Sequence, residues 1–208
     1  LSDALGRRLP VWGGGLDTLV VAATGPEQVG GLPYALERFT PRQVLWAGPP
    51  TGDYAALSLR RLLIQNQVPL IQAQKGHILD LGQGASLEVL AVTGRGMLRL
   101  LSWERFQMLL PIGADFESME ALMKGSRYGE LSALLLAESG YAPLNPLEWI
   151  RRWNPQLIIL SVAAGDYDGR PSEEVLGALE GYNLLRTDQN GWIQISTDGE
   201  KMWVQASQ

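Results

Sequence analysis

Cysteine is absent from the 208 residues, and histidine occurs once, at His77. The first absence removes thiolate catalysis, cysteine-ligated zinc and disulfide stapling together. The second removes any metal centre built from several imidazoles. It also leaves His77 as the sole possible base of a Ser-His-Asp triad. Positive charge is short as well, with 17 Lys and Arg against 22 Asp and Glu and a net charge of −5. A domain that wraps nucleic acid by charge alone is basic, so any DNA contact is expected to be a local patch or weak. No apolar run approaches the ~20 residues that span a bilayer, and no signal peptide is visible. The chain opens on Leu1 in helix-like sequence. The expectation is therefore a fragment of a longer protein, with its targeting information outside the fragment.

Hydrophobic residues make up 46 % of the chain, enough to bury a core without staples. One domain over residues 1–208 is expected. Residues 1–9 (LSDALGRRL) read as a helix end stopped by Pro10. Residues 16–23 (LDTLVVAA) read as a buried strand, 24–31 (TGPEQVGG) as a loop, 32–38 as a helix stopped by Pro41, and 43–47 as a strand. A helix over 53–67 turns Leu57, Leu59, Leu62 and Leu63 inward, and 69–72 form a third strand. The pattern then changes to period two, with a hairpin through Gly82-Gln83-Gly84 joining 78–81 to 86–92. Residues 97–101 and 106–110 read as another antiparallel pair, and 116–124 as a helix. Residues 131–136 fit a strand or a helical turn equally.

Residues 147–153 read as a helix with Trp149 and Trp153 on one face, and 156–162 (QLIILSV) as a buried strand. Residues 172–180 start a helix at the N-cap Ser172, although Val175 stands where a capping box would want Glu. The end reads as all β, over 184–187, 191–196 and 201–205, with Asn190-Gly191 and Asp198-Gly199 as turns. Together these make helices outside sheets, in layers. Gly30-Gly31 lacks the companions of a phosphate loop and reads as a tight turn into a helix. Arg60-Arg61 and Arg151-Arg152 read as solvated helix faces. Trp12, Trp46, Trp103, Trp192 and Trp203 are expected to be buried, with base stacking open to any that is exposed.

Several stretches, in order and at family-like spacing, resemble the metallo-β-lactamase-fold domain of ComEC-type DNA-internalisation competence proteins. They are LGRRLPVW (5–12), VGGLPYALERFTPRQVLWAGPP (29–50), GHILDLGQGASLEVLAV (76–92), NPQLIILSV (154–162), GRPSEEVLGALEGY (169–182) and RTDQNGWIQISTDG (186–199). The resemblance implies an α/β, four-layer αββα sandwich that lacks the family's first N-terminal strands. It also implies a metal site on loops at the sheet ends. There a His-x-His-x-Asp-His motif, followed by an apolar residue and Gly-Gly, holds zinc or manganese. Imidazoles and carboxylates converging on divalent metals turn a bound water into hydroxide near neutral pH.

Anchored on Asp17 and Gly30-Gly31, that motif falls on Ala23, Gly25, Glu27 and Gln28. The bridging aspartate falls near Asp115. A His-His-Gly-Ser segment falls on 138–141, starting at Glu138 and Ser139, and a late histidine falls on Arg170. Every histidine ligand is replaced, and His77 reads as a turn or strand-edge residue. The resemblance thus implies vestigial ligand positions, no catalytic residues and no cofactor. Glu27, Asp115 and Glu138 offer carboxylates that could gather around Ca²⁺ or Mg²⁺, but ion pairing with Arg170 is the preferred reading.

The function expected from the resemblance is a catalytically inactive domain, a pseudoenzyme acting as a binding or structural module in DNA uptake during natural transformation. Its expected partners are DNA, weakly, and the membrane-channel portion of its own parent chain. No small-molecule substrate is expected. Its expected place is the extracytoplasmic side of a bacterial plasma membrane. The alternative is a metal-dependent hydrolase or nuclease with a rebuilt, carboxylate-only site.

Overall fold

The computed structural model describes Gly6 and residues 15–49, 54–125, 129–166 and 168–207. It is mixed α/β, as the sequence pattern requires, and divides into two compact units. The first comprises Leu1–Gln74 with Val92–Met97, and the second Lys75–Ala91 with Leu98–Gln208. Of the expected helix at residues 1–9 only Gly6 is described, and Trp12 lies outside the described residues.

In the first unit, β1 (Leu16–Val21), β2 (Pro41–Trp46) and β3 (Leu70–Gln72) form a parallel sheet in the order β1-β2-β3. Parallel neighbours need crossovers. Two short helices, α1 (Pro26–Val29) and α2 (Leu32–Leu36), supply the first, and α3 (Tyr54–Gln65) the second. The core gathers Val21, Val44 and Trp46 of the sheet with Val29, Leu36, Ala56, Leu59 and Leu63 of the helices. Ala56, Leu59 and Leu63 follow helical spacing and make one stripe. Leu57 was expected to face inward, but it is 42 % exposed. It lies one residue, about 100° of helix rotation, beyond Ala56. The expected loop at 24–31 contains α1, because Pro26 at the first helical turn has no N–H to leave unpaired. Gly96 forms an antiparallel bridge with Ala23, and the Met97 N–H donates to the Ala22 carbonyl at 2.9 Å.

The second unit holds a seven-stranded sheet in the order β10-β9-β8-β7-β6-β5-β4. Its strands are β4 (Ile78–Gly82), β5 (Ala85–Val92), β6 (Met97–Trp103), β7 (Phe106–Ile112), β8 (Ala133–Leu135), β9 (Leu157–Leu160) and β10 (Leu184–Arg186). The ambiguous run at 131–136 is thus a strand, set between β7 and β9. Helices α4 (Phe116–Gly125), α5 (Leu147–Trp153) and α6 (Glu173–Ala178) bury Met119, Met123, Ile150, Trp153 and Val175 against Leu98, Leu100, Leu109 and Ile158. Ser172 caps α6, its hydroxyl accepting the Val175 N–H at 3.3 Å.

The expected all-β ending is interrupted by α7 (Thr187–Asn190), so Asn190-Gly191 closes a helical turn instead of a hairpin. The hairpin of β11 (Ile193–Thr197) and β12 (Met202–Ala206) packs Ile193, Ile195 and Met202 against Ala133, Leu157 and Ile159 of the sheet. Its turn uses Asp198, whose carboxylate accepts the Lys201 and Glu200 N–H groups at 2.7 and 3.0 Å. Those hydrogen bonds hold the Asp198 carboxyl below its ordinary pKa. Gly199 sits at φ 93°, where an added Cβ would lie 2.9 Å from Glu104 Cγ. Gly199→Ala is expected to destabilise by about 1–2 kcal/mol through that backbone conformation, read as a lower urea midpoint at unchanged slope. Among the described residues, no helix is long and apolar enough to cross a membrane.

Candidate functional site

Strands β7, β8, β9 and β10 run parallel. The segments that leave their C-terminal ends therefore gather at one end of the sheet, where open α/β sheets hold ligands. Asp115 follows β7, Glu138 and Ser139 follow β8, Arg170 follows β9, and Thr187 follows β10.

Asp115 is engaged at the start of α4. Its carboxylate accepts the Ser118 N–H at 2.8 Å, and its own N–H donates to the Ser118 hydroxyl at 3.2 Å. This is helix capping, the role expected of an aspartate at a helix start. Glu138 and Ser139 take left-handed backbone at φ 45° and 53°, followed by Gly140 at φ 80°. Buried Asn145 holds this reversal in place. Its amide oxygen accepts the Ala137 N–H at 2.9 Å, and its amide nitrogen donates to the Ala137 and Tyr141 carbonyls at 2.9 and 2.8 Å. Gly140 packs so closely on Pro171 that a Cβ there would come within 2.9 Å of the proline's Cβ.

The structure thus brings the 138–141 segment against 170–172. The Arg170 guanidinium lies 5.9 Å from the centre of the Tyr141 ring and pairs with Asp168 at 3.3 Å. Asp168 was not foreseen as the partner. The loop turns back on Asp166, whose carboxylate accepts the Asp168 N–H at 2.9 Å, and the local acid reaches the guanidinium.

In the first unit, Ala23 is buried in its bridge with Gly96, and Gly25 stands at the N-cap of α1. Glu27 and Gln28 are exposed on that helix. These residues do not fit zinc or manganese. Ala23 and Gly25 have no donor side chain, and Gln28 offers a weak amide. Among the described residues, no three His, Asp or Glu side chains gather in a group that could hold a metal ion.

No family model and no curated protein matches the chain. Among solved structures it is similar to the metallo-β-lactamase fold protein YhfI from Bacillus subtilis, at 11 % identity and a TM-score of 0.48, over 82 % of this chain and 74 % of that one. It is also similar to CmlA, a diiron β-hydroxylase from Streptomyces venezuelae, at 13 % identity and a TM-score of 0.45, over 70 % of this chain and 35 % of that one. The chain spans about a third of the length of CmlA.

Two features at the end of this sheet were not singled out from sequence. The Thr187 hydroxyl accepts the Val162 N–H at 2.9 Å and donates to the Val162 carbonyl at 2.7 Å, tying the exits of β9 and β10 together. Beside it, Arg186 forks onto Asp188, with Nε to Oδ1 at 3.1 Å and Nη2 to Oδ2 at 2.6 Å. Both side chains are mostly shielded, at 16 % and 17 % exposure. The only available signal was the Arg-Thr-Asp spacing at 186–188.

The Arg186 hydrogen bond holds the Asp188 carboxyl below its ordinary pKa, and the Arg186 pKa is raised in return. A depressed carboxyl stabilises the fold above its unfolded pKa of about 4. That contribution is lost as pH falls through the lower folded value. Asp188→Asn is expected to cost about 1 kcal/mol at neutral pH. The difference from the unaltered protein should vanish in acid, as followed by urea melts across the acid range.

Proposed function

We propose that this chain is a metallo-β-lactamase-like domain that has lost its metal centre and works as a binding or structural module in DNA uptake, within a ComEC-type competence protein. One observation carries the reading. Where the resemblance puts imidazoles, the chain has a buried alanine in a β-bridge, a helix-capping glycine, an exposed glutamine and an arginine tied to Asp168. Such a set offers no ligands from which a bound water could be made hydroxide. What remains for the loops at the sheet end is recognition. The partners proposed are DNA, held weakly, and the membrane-channel portion of the parent chain, on the extracytoplasmic side of the membrane.

The residues available for single strands are exposed ones. Trp192 and Trp203 are each 51 % exposed, and Arg151 and Arg152 are exposed on α5. Base stacking on an aromatic contributes about 1–3 kcal/mol per base. The test has two parts. Purified protein is assayed for bound transition metal and for DNA cleavage with Mn²⁺ or Mg²⁺, and neither stoichiometric metal nor cleavage is expected. Single- and double-stranded DNA are then titrated at several salt concentrations. Weak, salt-sensitive binding is expected, and Trp203→Ala should weaken the single-strand arm. Stoichiometric metal together with cleavage would overturn the proposal, and so would a complete lack of DNA binding combined with no affinity for the channel portion.

A further inference from the structure

Arg99 is the third residue of β6 and is 8 % exposed. Alternate residues of a strand share a face. Leu98 and Leu100 face the helix-covered core, so Arg99 points from the opposite face, together with Leu101. Among the described residues, no hydrogen bond or ion pair engages its guanidinium, and Nε is wholly occluded without a partner. Burial pushes its pKa down to about 10, which still leaves it charged at neutral pH. A buried charge of this kind is normally paired and hydrogen-bonded, because its desolvation is otherwise uncompensated.

The position of Arg99 adds to this. β6 and β7 are sheet neighbours joined by only Glu104 and Arg105, so they run antiparallel. The first half of β6 therefore lies level with the second half of β7. That places Arg99 toward the sheet end from which the Asp115, Glu138, Arg170 and Thr187 segments leave. Leu101, the next residue on its face, lines a cavity of about 390 Å³ that also takes the hydroxyl residues Ser161 and Thr187.

We propose that Arg99 anchors an oxyanion site, receiving a carboxylate or phosphoryl group on its guanidinium fork at this end of the sheet. The planar fork matches the paired oxygens of either group. The inference does not depend on the competence reading. It stands on the unmatched cation alone.

The test uses the whole chain and two probes, inorganic phosphate and acetate, each at fixed ionic strength against chloride. Phosphate or acetate is expected to raise the melting temperature of the unaltered protein saturably, by about 4 °C at tenfold its dissociation constant. R99M should lose the response, and R99K should keep a weaker one. The probe that acts at the lower concentration identifies the preferred group. Side-chain ¹⁵N spectra of the unaltered protein supply a readout that does not depend on R99M folding. A saturable shift of the Arg99 Nε–H signal on titration with phosphate or acetate is expected. Equal thermal responses in the unaltered protein and R99M, or an Arg99 signal that stays fixed with both probes, would overturn the proposal.

Discussion

Trp153→Ala is expected to lower the unfolding free energy by about 3–5 kcal/mol, the largest single effect among the residues described. Trp153 ends α5 and is 2 % exposed in the core that joins the helices to the seven-stranded sheet. Its loss would leave a cavity among rigid neighbours. Ile150 and Ile158 belong to that same core, and the backbone is pinned on both sides of the gap. The Trp153 carbonyl accepts the Leu131 N–H at 2.9 Å, and the Asn154 N–H donates back to Ile150 at 2.9 Å. Partial collapse is therefore resisted, and the cost should sit at the upper part of the range. Urea denaturation followed by far-ultraviolet circular dichroism would show a lower midpoint at unchanged slope. A change under 1 kcal/mol would mean that the helix is not anchored there.

Asn145→Ala should cost about 3 kcal/mol. The substitution would strand the Ala137 N–H and withdraw a donor from each of the Ala137 and Tyr141 carbonyls. Buried polar groups left without partners cost about 1–3 kcal/mol each. The effect should also be local. Glu138 and Ser139 hold left-handed backbone that costs energy for non-glycine residues, and Asn145 is what spans the reversal. Hydrogen exchange at residues 137–141 should rise more than in the sheet. Asn145→Asp separates the packing role from the hydrogen-bonding role. A carboxylate facing two carbonyl oxygens is disfavoured, so its folded pKa would be raised. Stability would be present while the group is protonated and lost as pH rises through that value. An Asn145→Asp variant as stable in base as in acid would contradict this account.

Legibility from sequence followed the strength of the local signal. Helix α5 was read at its observed bounds because its apolar positions and the tryptophan pair repeat at helical spacing. The hairpin of β4 and β5 was read from Gly82 and Gly84, both of which adopt positive φ. The short helix α1 was read as a loop, and α7 as the end of a strand followed by the Asn190-Gly191 turn. Four residues carry too few periodic positions to register, and what holds the start of α7 is tertiary, with the Thr187 hydroxyl donating to the Val162 carbonyl at 2.7 Å. Leu57 was misplaced because leucine reads as core wherever helical spacing allows it, whereas small Ala56 lies on the buried stripe.

At the candidate site, the sequence showed which side chains are missing but not what the remaining ones do. Asp115 was read only as a remnant ligand position and its capping bond to Ser118 was missed, and the partner of Arg170 was expected among distant acids instead of at Asp168.

The sequence alone determined that this chain is mixed α/β, has a core large enough to need no staples, and cannot assemble an imidazole cluster around a metal. Those properties depend on composition and local periodicity, which do not change with folding. Only the tertiary structure decided which polar groups are matched. It tied Thr187 to Val162 and, among the described residues, left the Arg99 Nε buried without a partner. Pairing and burial are relations between residues far apart in the chain, set when strands take their order in the sheet, and no local pattern encodes them.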